Sequence, residues 1–245
     1  MCWIALRTVL GWIWWYAVPI RKALAVRNYQ NCFPERPVTE LQTSVGDSAV
    51  QYLYLAFGWR ASVHLPDGIA KGGVALAGHG SAWDIALLSL AEHLPVTIFL
   101  RRPTNWLAAM FIGHHRNRVN IEELFGRDCM AKAYKALDAG RLVIFVQDQR
   151  HNDGISTSFL GRQCRTSAAF ASMVHRRKCP VFGIWQRNQG SQVEVDVRPL
   201  RWKIPKDRSQ AIKELTQLSQ DFYAERIAEQ PHSWLWLHDR WKVVQ

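Results

Sequence analysis

From residue 74 to residue 197 the chain alternates short apolar, β-branched runs with segments of helical length, and this pattern constrains the fold more than any other feature. The runs 74–77, 96–100, 142–146, 181–185 and 193–197 read as strands. Between them 84–93, 104–115, 130–139 and 166–177 have helical length and periodicity. A further helix is expected over 41–57, and a long one over 208–229 is stopped by Pro231. Strands that alternate with helices predict an α/β domain: a mostly parallel or mixed central sheet flanked by helices. Ligands of such sheets bind beyond the carboxyl ends of the strands, so the strand-to-helix junctions are where chemistry is to be sought.

Ahead of this pattern, residues 2–20 are apolar apart from Arg7 and Thr8. As one helix they would reach roughly 28 Å, close to the ~30 Å hydrocarbon core of a bilayer. Trp3, Trp12, Trp14, Trp15 and Tyr16 are residues of membrane–water interfaces, and Arg21, Lys22 and Arg27 follow. Residues 1–20 are therefore expected to be a hydrophobic membrane-anchor helix, spanning the bilayer or lying in its interface, with the body on the cytoplasmic side. A helix buried in the body is the alternative. A cleaved signal peptide fits less well, because most of the positive charge comes after the apolar run. No second segment of spanning length follows, which excludes a multi-pass transporter. Residues 33–40 form the one linker-like break.

Charge narrows the partners. Lys and Arg number 31 against 20 Asp and Glu, a net charge of +11, which favours anionic lipid surfaces, nucleic acid or an acidic carrier protein. Twelve tryptophans shift the balance toward a membrane surface. The five cysteines are odd in number and none are spaced C-x-x-C, so a disulfide framework or zinc ribbon is not indicated.

The junction after the first strand reads Gly78-His79-Gly80-Ser81-Ala82-Trp83-Asp84. It sets a histidine on a glycine-flanked turn and an acid in the first helical turn. One reading is structural: Ser81-x-x-Asp84 has the form of a capping box. The other is chemical: Asp84 fixes the tautomer of His79, and His79 takes a proton from an attacking hydroxyl. General-base help is worth about 10²–10⁴-fold in rate. That suits an electrophile already activated, such as a thioester. A backbone N–H at Gly80 or Ser81 is a candidate oxyanion donor. No G-x-S-x-G elbow, Walker A loop or G-x-G-x-x-G fingerprint is present, which withdraws support from hydrolase, kinase and nucleotide-cofactor readings.

Two further junctions carry polar groups. Arg101, Arg102, His114, His115, Arg116 and Arg118 flank the segment 104–115 and form either a phosphate clamp or a solvated basic face. Asp148, Gln149 and Arg150 end the run 142–146, at the same carboxyl edge as His79. Asp148 could orient an arginine, position a substrate hydroxyl, or cap a turn.

In order along the chain, these residues resemble the late acyltransferases of bacterial lipid A biosynthesis (the lauroyl/myristoyl type), within the glycerolipid acyltransferase superfamily and its H-x4-D/E motif. Arg27-Asn28 with Cys32-Phe33-Pro34 resembles the segment after the anchor, and His79 with Trp83-Asp84 the catalytic block. Arg102-Pro103, Asn105, Arg116 and Arg118 are similar to a second block. Gly140, Asp148-Gln149, Gly154, Phe159, Gly161 and Thr166 are similar to a third. Pro231, Trp234, Trp236, His238, Arg240 and Trp241 resemble the C-terminal signature, where the tryptophans and His238 read as packing. Asp84 stands where these enzymes usually carry Glu, and Ser81-Ala82 where they carry Gly-Asn.

The resemblance implies a membrane-associated O-acyltransferase domain over residues 21–245, at the cytoplasmic face of the inner membrane. Its acyl donor would be a thioester of acyl carrier protein or CoA, and its acceptor a hydroxyl of a lipid A precursor or related anionic glycolipid. His79 and Asp84 would be catalytic. Arg102, Arg116, Arg118, Asp148 and Gln149 would bind substrate, with Arg116 the preferred headgroup ligand. No metal or other cofactor is implied. Another acceptor, such as a lysophospholipid, ornithine lipid or glycolipid, fits the same residues. The contrasting class is a non-catalytic basic module for membranes or nucleic acid, for which no nucleic-acid motif is found.

Overall fold

Gly73–Ala77 (β2) and Leu142–Val146 (β5) are buried almost throughout, and their alternate residues enter two different cores. Val74, Leu76, Val143 and Phe145 face one apolar cluster. Ala75, Ala77, Leu142 and Ile144 face the other. A period of two with both faces covered is the signature of a central strand in a sheet sandwiched by helices. The computed structural model describes residues 2–100, 110, 113–126, 128–189 and 192–242.

Five further strands complete the sheet: β1 (Ser62–His64), β3 (Val96–Phe99), β4 (Ile121–Leu124), β8 (Val181–Gln189) and β9 (Gln192–Pro199). The order is β1-β9-β8-β2-β5-β3-β4. Every pairing is parallel except the β8–β9 hairpin. The expected mostly parallel α/β sheet is therefore present. β6 (Ile155–Phe159) and β7 (Arg162–Thr166) form a separate antiparallel hairpin.

Among the described residues, the helices whose bounds are complete are α1 (Cys2–Tyr16), α2 (Lys22–Cys32), α3 (Glu40–Ala56), α4 (Trp83–Ala91), α5 (Cys129–Asp138), α6 (Ala169–Arg177) and α7 (Arg208–Glu229). All nine residues of α4 are buried, as a helix apolar on every side must be. α7 starts at Asp207, whose carboxylate accepts the Gln210 N–H at 2.7 Å.

Two expectations need correction. The segment 166–177 is not helical throughout, because the helix begins only at Ala169 after the hairpin. Leu160-Gly161 turns that hairpin with φ of 49° and 74°, the two-residue positive-φ geometry that matches strand twist. Most of the expected helix 104–115 lies outside the described residues.

The second correction concerns the N-terminus. α1 ends at Tyr16, and at 15 residues it is roughly 22 Å long. Among the described residues no helix is long and apolar enough to cross a membrane. α1 instead packs antiparallel on α3 with almost no gap between the backbones. A Cβ on Gly11 would lie 2.1 Å from the Gln42 carbonyl, and one on Gly46 would lie 2.2 Å from the Arg7 carbonyl. Arg7 does not snorkel; it pairs with Asp47 of α3 at 3.4 Å. One apolar side of α1 is thus built into the body. The other side shows Val9, Trp12 and Tyr16 to the outside, each more than half exposed.

Candidate active site

β2 and β5 are neighbours, and Ala77 pairs with Val146. His79 and Asp148 each lie two residues past that pair, so the register brings them together. His79 Nδ1 is 2.8 Å from Asp148 Oδ1, and the His79 backbone N–H donates to Asp148 Oδ2 at 2.7 Å. With Nδ1–H donating, Nε2 carries the lone pair, and it accepts from the Gln149 amide at 3.2 Å.

Asp148 is fully buried and accepts a third donor, the Trp234 indole N–H, at 2.8 Å. Trp234 was expected only to pack; its link to the site was hidden because it is 86 residues from Asp148. The C-terminal strap carrying it is stitched to the histidine loop: Leu235 N–H donates to the His79 carbonyl at 3.0 Å and Ser81 N–H to the Ser233 carbonyl at 2.7 Å. From α7, the Tyr223 hydroxyl donates to the Ala77 carbonyl at 3.0 Å and accepts the Gln147 N–H at 3.2 Å. Both strand ends are held by one side chain.

Charge follows this geometry. Burial disfavours the imidazolium, but the Asp148 charge and hydrogen bond, with help from the charge of Asp84, outweigh it and raise the His79 pKa above 6.5. Burial likewise disfavours the Asp148 carboxylate, and His79 and the donor bonds hold its pKa below 3.8. His238 behaves oppositely: burial pushes it down to about 4. It is a neutral acceptor for the Arg150 backbone N–H at 3.1 Å, in keeping with a structural role.

The expected bond between Asp84 and His79 is replaced. Asp148 occupies Nδ1, and the Asp84 carboxylate accepts from Arg116 Nη2 at 2.9 Å. The reason is that α4 turns Asp84 toward a nearby guanidinium, so that its charge reaches His79 without a hydrogen bond. The capping box is not formed either: Ala82 is the N-cap of α4, with no side-chain cap. Nor do the proposed oxyanion donors stand free. The Gly80 N–H bonds the Gly78 carbonyl at 2.9 Å, and that of Ser81 is bound to Ser233.

A cavity of about 620 Å³ opens beside His79. Its apolar wall includes Phe99, Leu100, Leu124, Met130, Phe145 and Val146, and its polar lining includes Asp84, Arg116, Gln149 and Arg150. The volume is within the range of small-molecule sites. Arg116 is held on its other side by Glu123 at 2.9 Å, so its charge is matched by two carboxylates. Arg118 is exposed and does not line the cavity. Arg102 lies outside the described residues.

The 1-acyl-sn-glycerophosphate (LPA) acyltransferase PlsC from Thermotoga maritima is similar in structure, with 14% identity, 89% of this chain and 95% of that chain covered, and a TM-score of 0.38. No curated protein matches. The family model for bacterial lipid A biosynthesis acyltransferases matches residues 69–243, a span that leaves out the segment 27–34. Since that span takes in His79, Asp84, Asp148 and the strap, and well over half of the sequence, the chain belongs to the bacterial lipid A biosynthesis acyltransferase family.

Proposed function

We propose that the protein moves a fatty acyl chain from a thioester of acyl carrier protein or CoA to a hydroxyl of a lipid A precursor or related anionic glycolipid. The observation that carries this reading is the placement of His79 Nε2. It stands at a cavity with one apolar wall, and its other ring nitrogen is on a buried carboxylate. An acceptor hydroxyl takes the place of the Gln149 amide at Nε2 and gives up its proton as its oxygen attacks the thioester carbonyl carbon. Asp148 steadies the resulting imidazolium. The C–S bond breaks, and the leaving thiolate takes the proton back from His79. The wall of Phe99, Leu124, Met130 and Phe145 accommodates the acyl chain. Asp84 and Arg116 act as a fixed pair beside the base.

In this reading the chemistry takes place at a lipid surface, on the cytoplasmic face of the inner membrane, and the outward side of α1 supports contact with that surface. That side presents Trp12 at 56% and Tyr16 at 63% exposure, and Ile20, just past the helix, is 65% exposed. Aromatic and aliphatic side chains of this kind enter the headgroup boundary of a bilayer, and the +11 charge of the chain favours an anionic one. An interfacial helix fits the 15 residues of α1, as a spanning one does not.

The test is transfer itself. Purified protein is given an acyl thioester and a panel of acceptors, and the lipids are analysed by mass spectrometry. One added acyl chain on the lipid A precursor, lost in His79→Ala, is the expected result. Transfer to lysophospholipid or ornithine lipid alone would move the acceptor assignment, and transfer undiminished in His79→Ala would overturn the mechanism.

A further inference from the structure

Among the described residues, three charged side chains line the catalytic cavity: Asp84, Arg116 and Arg150. The first two neutralise each other, and Glu123 adds a second negative charge to Arg116. Arg150 has no such partner. All 20 acidic residues lie among the described ones, and none forms an ion pair or hydrogen bond with its guanidinium. Its Nη1 is buried and without a hydrogen-bond partner. Its place is nonetheless fixed, because its backbone N–H is bonded to His238 and it follows Gln149, which touches the His79 ring.

An arginine is charged at any working pH, and a buried N–H without an acceptor is costly to keep. Its planar donors match the oxygens of a phosphate better than those of any neutral group. We infer that Arg150 is the anion-binding residue of this cavity, and that it takes a phosphate carried by one of the two substrates. This rests on the reading of the cavity as the site of acyl transfer. It also moves the preferred phosphate ligand from Arg116, whose charge is already matched, to Arg150. The phosphate belongs either to the acceptor's headgroup or to the phosphopantetheine arm of the donor.

Two pairs of soluble probes separate these sources: 4′-phosphopantetheine against pantetheine, and glucosamine 1-phosphate against glucosamine. Each is titrated against the full chain bearing His79→Ala, so that binding is read without turnover. Arg150→Gln in this background should weaken the phosphorylated member of one pair by about 10- to 100-fold, as loss of a charge-assisted bond does. The unphosphorylated member should be unaffected, and Arg150→Lys should lose less. The pair that responds names the source. Because the His238 bond uses the Arg150 backbone, an unchanged unfolding curve is expected for each variant. The inference is overturned if neither phosphate binds, or if both bind Arg150→Gln as tightly as the parent. Retained acyl transfer in His79→Ala would instead overturn the mechanism and leave the binding result standing.

Discussion

The guanidinium of Arg116 lies 2.9 Å from the Asp84 carboxylate, with only 11% and 9% of the two side chains exposed. Arg116→Met leaves the Asp84 carboxylate without its guanidinium, and stripping one partner from a buried pair costs roughly 3–5 kcal/mol. Asp84→Asn should cost less, because Arg116 keeps Glu123 at 2.9 Å, and the double variant should lose less than the sum. Urea denaturation of the four proteins gives the coupling energy. Additive losses would mean that the two side chains do not work as a unit.

The pH profile separates the two acids near His79. The base must be neutral to act, and its pKa is raised. Activity should therefore rise with pH along a limb centred above the ordinary 6.5. Asp148→Asn removes the largest influence raising that pKa, so the limb should move to lower pH while turnover drops by about 10²–10⁴-fold. Asp84→Asn, which removes only a more distant charge, should move the limb less. The measurement is kcat/KM against pH for the three proteins.

The same pair shapes stability. A raised histidine pKa contributes stability that is fully present below 6.5 and is lost as pH rises through the folded value. A lowered aspartate pKa contributes stability present above 3.8 and lost as pH falls through its folded value. Both contributions coexist between those two values. The Tm advantage of the parent over His79→Gln should peak in that window and shrink on either side of it.

Trp234→Phe keeps the ring and deletes one donor to Asp148. Leaving a buried carboxylate oxygen short of a donor costs about 1–3 kcal/mol. A comparable loss in thermal or urea unfolding is expected, together with lower kcat from a less firmly held Asp148.

Gly80→Ala tests how tightly the histidine loop is packed. The new Cβ would fall 1.1 Å from the Gln186 amide nitrogen and 3.1 Å from the Ser233 carbonyl. Gln186 is buried, so it has little room to retreat. Overpacking of this kind costs roughly 1–3 kcal/mol, read by denaturation, and it should reduce transfer by shifting His79.

Membrane attachment is best tested on the outward side of α1. Deleting the whole helix would strip α3 of its partner, whereas Trp12→Glu with Tyr16→Glu changes only exposed positions. The double variant should unfold like the parent yet partition several-fold less onto anionic liposomes in a flotation assay.

Residue types and spacing determined a good deal of this protein. The apolar runs at 74–77 and 142–146 marked strands, and a strand covered on both faces must be apolar along its length. The glycine-flanked His79 after the first strand marked a candidate site, and Asp148 was expected at the same edge. The hairpin β6–β7 escaped notice, though its positive-φ turn at Leu160-Gly161 between alternating segments was a usable signal. Which carboxylate would serve the histidine was not legible. Asp84 is close in sequence, and local spacing favours it. Asp148 becomes the partner only because β5 returns past β3 and β4 to pair with β2 in the register that joins Ala77 to Val146. Trp234, Tyr223 and the pairing of Asp84 with Arg116 likewise depend on contacts between distant segments. Periodicity records which face of an element is buried, but only the folded chain decides what that face meets.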